Sequence, residues 1–175
     1  GTCNAAGSGN NDDPETTSIR GLVDLSITKN KSSPATSTTP DTTPVLAQDL
    51  VRYRVRVTNN VIPSRVSTGT NAVQFRDNLN AGPRGTFESY TAVTGTWVCD
   101  NVGVVNPNPV TCTLEDDLAQ GDFREVDLFV RPNNVGNNRT NTATVSTQAL
   151  ATVVDQSTGN NNGTVTYNVT SALDL

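Results

Sequence analysis

The sequence predicts an all-β sandwich, and three observations carry that prediction. In Val51, Arg52, Tyr53, Arg54, Val55, Arg56 and Val57, apolar and charged residues alternate with period two. That is the signature of a strand with one face on a core and the other in water. The alternation returns near the end, where Val165, Tyr167 and Val169 are interleaved with Thr164, Thr166, Asn168 and Thr170. Composition agrees: Thr and Asn are abundant, Met is absent and hydrophobic residues make up only 34%, a balance suited to short strands with long polar connections.

In chain order, residues 1–21 are dominated by Gly, Asn, Asp, Ser and Thr. Such a segment buries too little apolar surface to order itself, and it is set apart as a low-complexity N-terminal extension. Residues 22–175 are assigned to the sandwich. Leu22 to Thr28 reads as a first strand, Asp49 to Thr58 as a second and Ala72 to Asp77 as a third. The first two are separated by KSSPATSTTPDTTP, whose three prolines remove backbone donors that a sheet needs. Gly85 to Val93, Thr96 to Cys99 and Val110 to Leu114 supply three more strands. Phe123 to Arg131 follows, with Val126, Leu128 and Val130 alternating against Glu125, Asp127 and Phe129. Thr140 to Thr147 and Gly163 to Ser171 complete the set.

A chain of 175 residues is long enough for one sandwich that buries about two-thirds of its unfolded surface without a metal or a dense disulfide net. The net charge of −5 comes with no run of Lys or Arg, so the electrostatic footprint of a nucleic-acid binder is missing. No apolar stretch reaches the length needed to span a bilayer. The first residues lack the regions of a signal peptide, so the expectation is a chain already processed or cut from a larger one. Its end, Ala172-Leu173-Asp174-Leu175, echoes Val23-Asp24-Leu25, as a module boundary in a tandem array would.

Three cysteines are present. Cys99 and Cys112 end two short apolar segments joined by a loop, and a hairpin there would bring them into disulfide range. Bridging would imply an oxidising compartment, and two buried free thiols are the alternative. Cys3 is then left over, either for a bond to another chain or as a free thiol.

The succession DLSITK (Asp24 to Lys29), DLVRYRVRVTNN (Asp49 to Asn60), AVQFRDNLNAG (Ala72 to Gly82), GTWVCD (Gly95 to Asp100), VTCTLEDDLAQGD (Val110 to Asp122) and RTNTATVST (Arg139 to Thr147) resembles the bacterial conserved-repeat domain known as domain of unknown function eleven. The resemblance covers roughly residues 22–171. It implies an immunoglobulin-like antiparallel β-sandwich, often in tandem, in secreted or surface proteins of bacteria and some archaea. It also implies a pairing of Cys99 with Cys112. The Thr-Pro insertion after Lys29 and the N-terminal extension depart from the family pattern.

Chemistry is sparse. There is no His, which excludes Ser-His-Asp and Cys-His constellations and His-based zinc sites. Glu115, Asp116 and Asp117 read as a solvated turn, with a weak calcium site as the alternative. Asn10, Asn11, Asp12, Asp13 and Glu15 fit no EF-hand spacing. No catalytic residue, metal ligand set or cofactor is assigned. Arg52, Arg54 and Arg56 share a strand face that would either grip an acidic polymer or pair with Glu125 and Asp127. Lys29 and Asn168, on the first and last strands, resemble the reactive pair of surface domains that form isopeptide crosslinks. Such chemistry also needs a buried acid, which the sequence does not identify. Sequons at Asn30, Asn138, Asn162 and Asn168 permit glycosylation.

Three function classes follow. The first is an extracellular structural subunit or module of a filament, stalk or surface layer, with copies of itself as partners in a homopolymer or tandem array. There the segment from Thr16 to Leu25 would be donated to a neighbour's sheet edge, with Ile19, Leu22, Val23 and Leu25 as anchors and Cys3 as a covalent lock. The second is an adhesin or carbohydrate-binding module for a surface glycan, which requires Trp97 or Tyr90 on an exposed face. The third, an enzyme, is disfavoured by the missing His and the scattered carboxylates.

Overall fold

The computed structural model describes residues 20–61, 66–79, 83–149 and 151–171. Among these, twelve strands follow one another: β1 (Gly21–Val23), β2 (Leu25–Ser32), β3 (Val45–Leu46), β4 (Val51–Asn59), β5 (Val73–Asp77), β6 (Gly85–Thr94), β7 (Trp97–Cys99), β8 (Val110–Leu114), β9 (Phe123–Pro132), β10 (Gly136–Thr147), β11 (Val153–Asp155) and β12 (Asn162–Thr170). They form a four-stranded sheet in the order β2-β4-β9-β6, a six-stranded sheet in the order β3-β12-β10-β5-β8-β7, and a β1-β11 pair. The two larger sheets pack face to face as a sandwich. Pairing is antiparallel throughout except at β1-β11 and β3-β12, which are parallel.

Period-two patterning explains the layers. Val51, Tyr53, Val55 and Val57 of β4 and Val126, Leu128 and Val130 of β9 are fully buried on one side of the core. Val73 and Phe75 of β5, Cys112 and Leu114 of β8, and Ala143 and Val145 of β10 close it from the other. The single tryptophan, Trp97, lies edge-on to Phe75 with ring centroids 5.4 Å apart. On the outer face, β4 and β9 are in register at Arg54↔Asp127 and Arg56↔Glu125. Arg54 donates two hydrogen bonds to Asp127, at 2.8 and 2.9 Å, and Arg56 donates one to Glu125 at 2.8 Å.

The expected first strand is two strands. At Asp24 the chain changes sheets: β1 pairs with β11, and β2 pairs with β4. The carbonyl of Asp24 accepts from the Asn60 backbone, and its carboxylate accepts from the side chains of Asn60 and Asn160. The corner is therefore satisfied without a ladder. The second strand of the chain also runs to Ser32, into the segment expected to be loop, because Lys31 turns inward to pair with Asp41. The two-residue β3 and the three-residue β11 carry too little periodicity to be read from sequence.

Two glycines mark close approaches. Gly85 has φ +141°, and a Cβ there would lie 2.1 Å from the Arg131 carbonyl oxygen. A Cβ on Gly163 would meet the Lys29 nitrogen and the Thr28 carbonyl carbon, both at 3.1 Å. At that point β12 closes onto the backbone of β2, which brings the two sheets together along one side.

Candidate functional site

The alternation that builds the core does not stop where the apolar residues stop. In β2 the inward positions are Leu25, Ile27, Lys29 and Lys31; in β5 they are Val73, Phe75 and Asp77; in β10 they are Asn141, Ala143 and Val145. Strand geometry therefore carries Lys29, Asp77 and Asn141 into the sandwich interior. All three are buried, at 5%, 0% and 0% exposure.

Lys29 Nζ is 2.5 Å from Asp77 Oδ2, and both side chains are fully buried. The ammonium also stands 4.5 Å from the centroid of the Tyr53 ring. The Tyr53 hydroxyl hydrogen-bonds the Tyr167 hydroxyl, and the second inward lysine, Lys31, lies over the Tyr167 ring at 5.2 Å while pairing with Asp41. Because Asp77 is in register with Ala143, Asn141 occupies the diagonal position on the same inward face.

Electrostatics follow from burial. Burial pulls the Lys29 ammonium below its ordinary pKa, and the Asp77 charge and hydrogen bond restore only part. Burial pushes the Asp77 carboxyl up, against the opposing effects of Lys29 and of the Asn141 amide. Both shifts favour the neutral amine and the neutral acid. Burial also raises Tyr53, with the Tyr167 hydroxyl adding to it, so this phenol stays protonated. Asn141 lies near enough to Asp77 and Tyr53 to favour the charged form of each. Yet neither its Oδ1 nor its Nδ2 meets hydrogen-bond geometry, and Asp77 Oδ1 is likewise unpartnered.

Other candidate residues are placed as follows. Cys99 and Cys112 face one another across β7 and β8 and are joined, with an S–S distance of 2.03 Å. Arg54 and Arg56 pair with Asp127 and Glu125 rather than presenting free charge, and Arg52 is buried, with a hydrogen bond to Ser32 at 3.1 Å. Trp97 is 4% exposed and Tyr90 is half-buried, so neither offers a flat aromatic platform. Asp116 and Asp117 accept backbone hydrogen bonds from Thr96 and Gly69, at 2.6 and 2.7 Å, and thus tie loops together.

Two expectations are corrected. Asn168 is not the partner of Lys29: its side chain is only partly buried and accepts from the Asn138 backbone at 2.9 Å. The inward amide is that of Asn141. Of the residues expected to anchor a donated strand, Val23 and Leu25 are fully buried in this molecule's own core and Leu22 is half-buried within β1. A donated arm would therefore lie upstream of Gly21. Cys3, Ile19, the acidic and Asn-rich residues 10–15 and the terminal segment Ala172–Leu175 fall outside the described residues.

Sequence reading missed Asp77 and Asn141, although a signal was present. Val73-x-Phe75-x-Asp77 and Asn141-x-Ala143-x-Val145 each extend an apolar alternation by one polar residue.

No family model matches the chain, and no curated protein matches it. Solved structures do. The cohesin module of a family 33 glycoside hydrolase from Clostridium perfringens aligns with a TM-score of 0.51 at 8% identity, covering 87% of this chain and 99% of that module. A CARDB domain from Pyrococcus furiosus, solved in complex with di-metal ions, aligns with a TM-score of 0.43 at 15% identity over 84% of this chain and 88% of that one. The major pilin SpaD from Corynebacterium diphtheriae aligns at 0.47 and 18% identity, over 83% of this chain and 33% of the pilin. The likeness to the cohesin module, at 8% identity, is one of fold: the chain is an immunoglobulin-like β-sandwich.

Proposed function

We propose that this chain is a non-catalytic structural module of the bacterial or archaeal cell exterior that joins copies of itself into a filament, stalk or surface layer. The resemblance to the conserved-repeat domain implies an extracellular structural role. The observation that carries the reading is the outer edge of β6. Its first residues are covered, with the Phe87 backbone exchanging hydrogen bonds with Val104 and Gly103, and Gly85 receiving one from Asn106. Beyond them β6 ends the four-stranded sheet, and among the described residues no strand pairs with its outer side. Bulges next to Phe87 and Ala92 bracket the stretch, leaving a short length of backbone for an extended segment to join. Val102, Val104 and Val105 stand exposed in the loop beside it, an apolar margin suited to contact with another chain.

The arm assigned to this edge in the proposal is the segment upstream of Gly21, with Ile19 as an anchor and Cys3 as a lock. Enzymatic activity is disfavoured by the lack of His and by the use of the acidic residues in ion pairs and loop ties. Glycan binding is disfavoured by the burial of Trp97. Electron microscopy of the full chain and of a chain lacking residues 1–20 tests the reading. Regular filaments or sheets are expected from the first and monomers of unchanged circular dichroism from the second. Assembly by the truncated chain would refute strand donation, and monomers from both would refute the polymer.

A further inference from the structure

We propose that Lys29 and Asn141 form an intramolecular isopeptide bond that staples the two sheets together, with Asp77 as the proton-transferring group. The inference holds whether or not the chain assembles.

A buried ion pair by itself would be unremarkable, since lysine and aspartate can neutralise one another in a core. Two observations exceed that reading. First, the interior holds a third polar group, the Asn141 amide, on the same inward face as Asp77 and without a hydrogen bond for either of its atoms. Buried amides are otherwise nearly always satisfied, and an Asn with no partner is a poor occupant of a core where Leu or Val would fit. Second, the three groups occupy complementary positions. Lys29 comes from β2 in one sheet, whereas Asp77 and Asn141 are neighbours on β5 and β10 in the other. β10 and β12 pack against β2. Lys29 Nζ already touches Asp77, and Tyr53 borders both Lys29 and Asn141. Lys31 makes the contrast: it too is buried, but its partner Asp41 lies in the partly exposed Pro-rich loop.

The chemistry balances without an added reagent. The pair exchanges one proton, giving a neutral Lys29 amine and a protonated Asp77, the direction in which burial drives both groups. The Nζ lone pair attacks Asn141 Cγ while Asp77 gives its proton to Oδ1. The resulting tetrahedral centre then collapses. Asp77 takes a proton from the cationic Nζ and passes it to Nδ2, the Cγ–Nδ2 bond breaks and ammonia leaves, and the Oδ1 hydroxyl re-forms the carbonyl as it returns its proton to Asp77. One Nζ–Cγ amide bond has formed and one Cγ–Nδ2 bond has broken, and nothing is oxidised or reduced. Water is kept from the tetrahedral centre by the surrounding core, and proximity within a fixed fold makes the attack effectively unimolecular.

Intact mass spectrometry of the purified full chain, reduced and alkylated, decides the matter. The expected mass is that of the sequence with its three cysteines alkylated, less one ammonia, and proteolysis should yield one branched peptide joining the segments that carry Lys29 and Asn141. The full sequence mass, with the two residues in separate linear peptides, overturns the proposal. Loss of one water with a branch between Lys29 and Asp77 overturns it as well, because Asp77 would then be the electrophile. Loss of ammonia mapped to a succinimide at Asn162-Gly163 has the same effect. Asp77→Asn keeps the shape and removes the acid, so it should restore the full mass; a crosslinked Asp77→Asn protein would overturn the role given to Asp77. Should that variant fail to fold, the wild-type mass and peptide map still decide.

Discussion

Reducing the disulfide between Cys99 and Cys112 perturbs the six-stranded sheet at one point. The two cysteines face one another across β7 and β8 and lie 13 residues apart in sequence. On the chain-entropy model, opening a loop of that length stabilises the unfolded state by about 3 kcal/mol. Reduction leaves both sulfurs in the fold, so it isolates the crosslink from the packing. Cys99→Ala with Cys112→Ala also removes two sulfurs from the core, where Cys112 is fully buried, and should cost about 1–2 kcal/mol more. Trp97 shares β7 with Cys99, and as the chain's one tryptophan it reports on that strand directly. The assay is urea unfolding followed by Trp97 fluorescence and far-UV circular dichroism, in a Cys3→Ser background that removes the third thiol. With a slope of about 2–3 kcal/mol per molar urea, the midpoint should fall by about 1 M on reduction. Because β7 is a three-residue edge strand, the fluorescence transition of the reduced protein should precede the circular dichroism transition. Equal midpoints for the oxidised and reduced proteins would refute the loop-entropy argument. Coincident probes would refute the local detachment of β7.

Two further predictions follow. Gly163→Ala places a methyl group 3.1–3.2 Å from backbone atoms of Ile27, Thr28 and Lys29, where no flexible side chain can yield. It should destabilise the protein by about 1–3 kcal/mol, and a thermal midpoint at or above that of the wild type would contradict the close approach of β12 to β2. For Asp41, burial pushes the carboxyl up, but hydrogen bonds from Lys31, Ser33 and Thr43 and the Lys31 charge bring it down to about 2. A carboxylate lowered in the folded state contributes stability that is present above its unfolded pKa and lost as pH falls through the folded value. Stability should therefore decline between about pH 4 and pH 2, and part of that decline should vanish in Asp41→Asn. An unchanged acid limb in the variant would remove Asp41 from the account.

Much of the sandwich was legible because a strand's alternation is local. Val51 to Val57 and Val165 to Val169 declare their buried faces without reference to the rest of the chain, and the central strands fall within a few residues of their expected limits. The break at Asp24 was hidden because Leu22 to Thr28 reads as continuous, and only hydrogen bonds from Asn60 and Asn160 make a corner there. β3 and β11 were hidden for a different reason: two or three residues carry no measurable period, and their partners on β12 and β1 stabilise them from outside the segment.

What the sequence determined by itself was the fold class, the composition of each sheet face and the absence of histidine chemistry, since each depends on residue type and near-neighbour spacing alone. The tertiary structure decided which inward-facing polar residues meet. Lys29 and Asp77 are 48 residues apart, on different sheets, and nothing within either strand specifies the other. Their meeting with Asn141 depends on sheet order and register. Those are set by long-range backbone pairing and by the way two twisted faces pack, and a period-two pattern is silent about both.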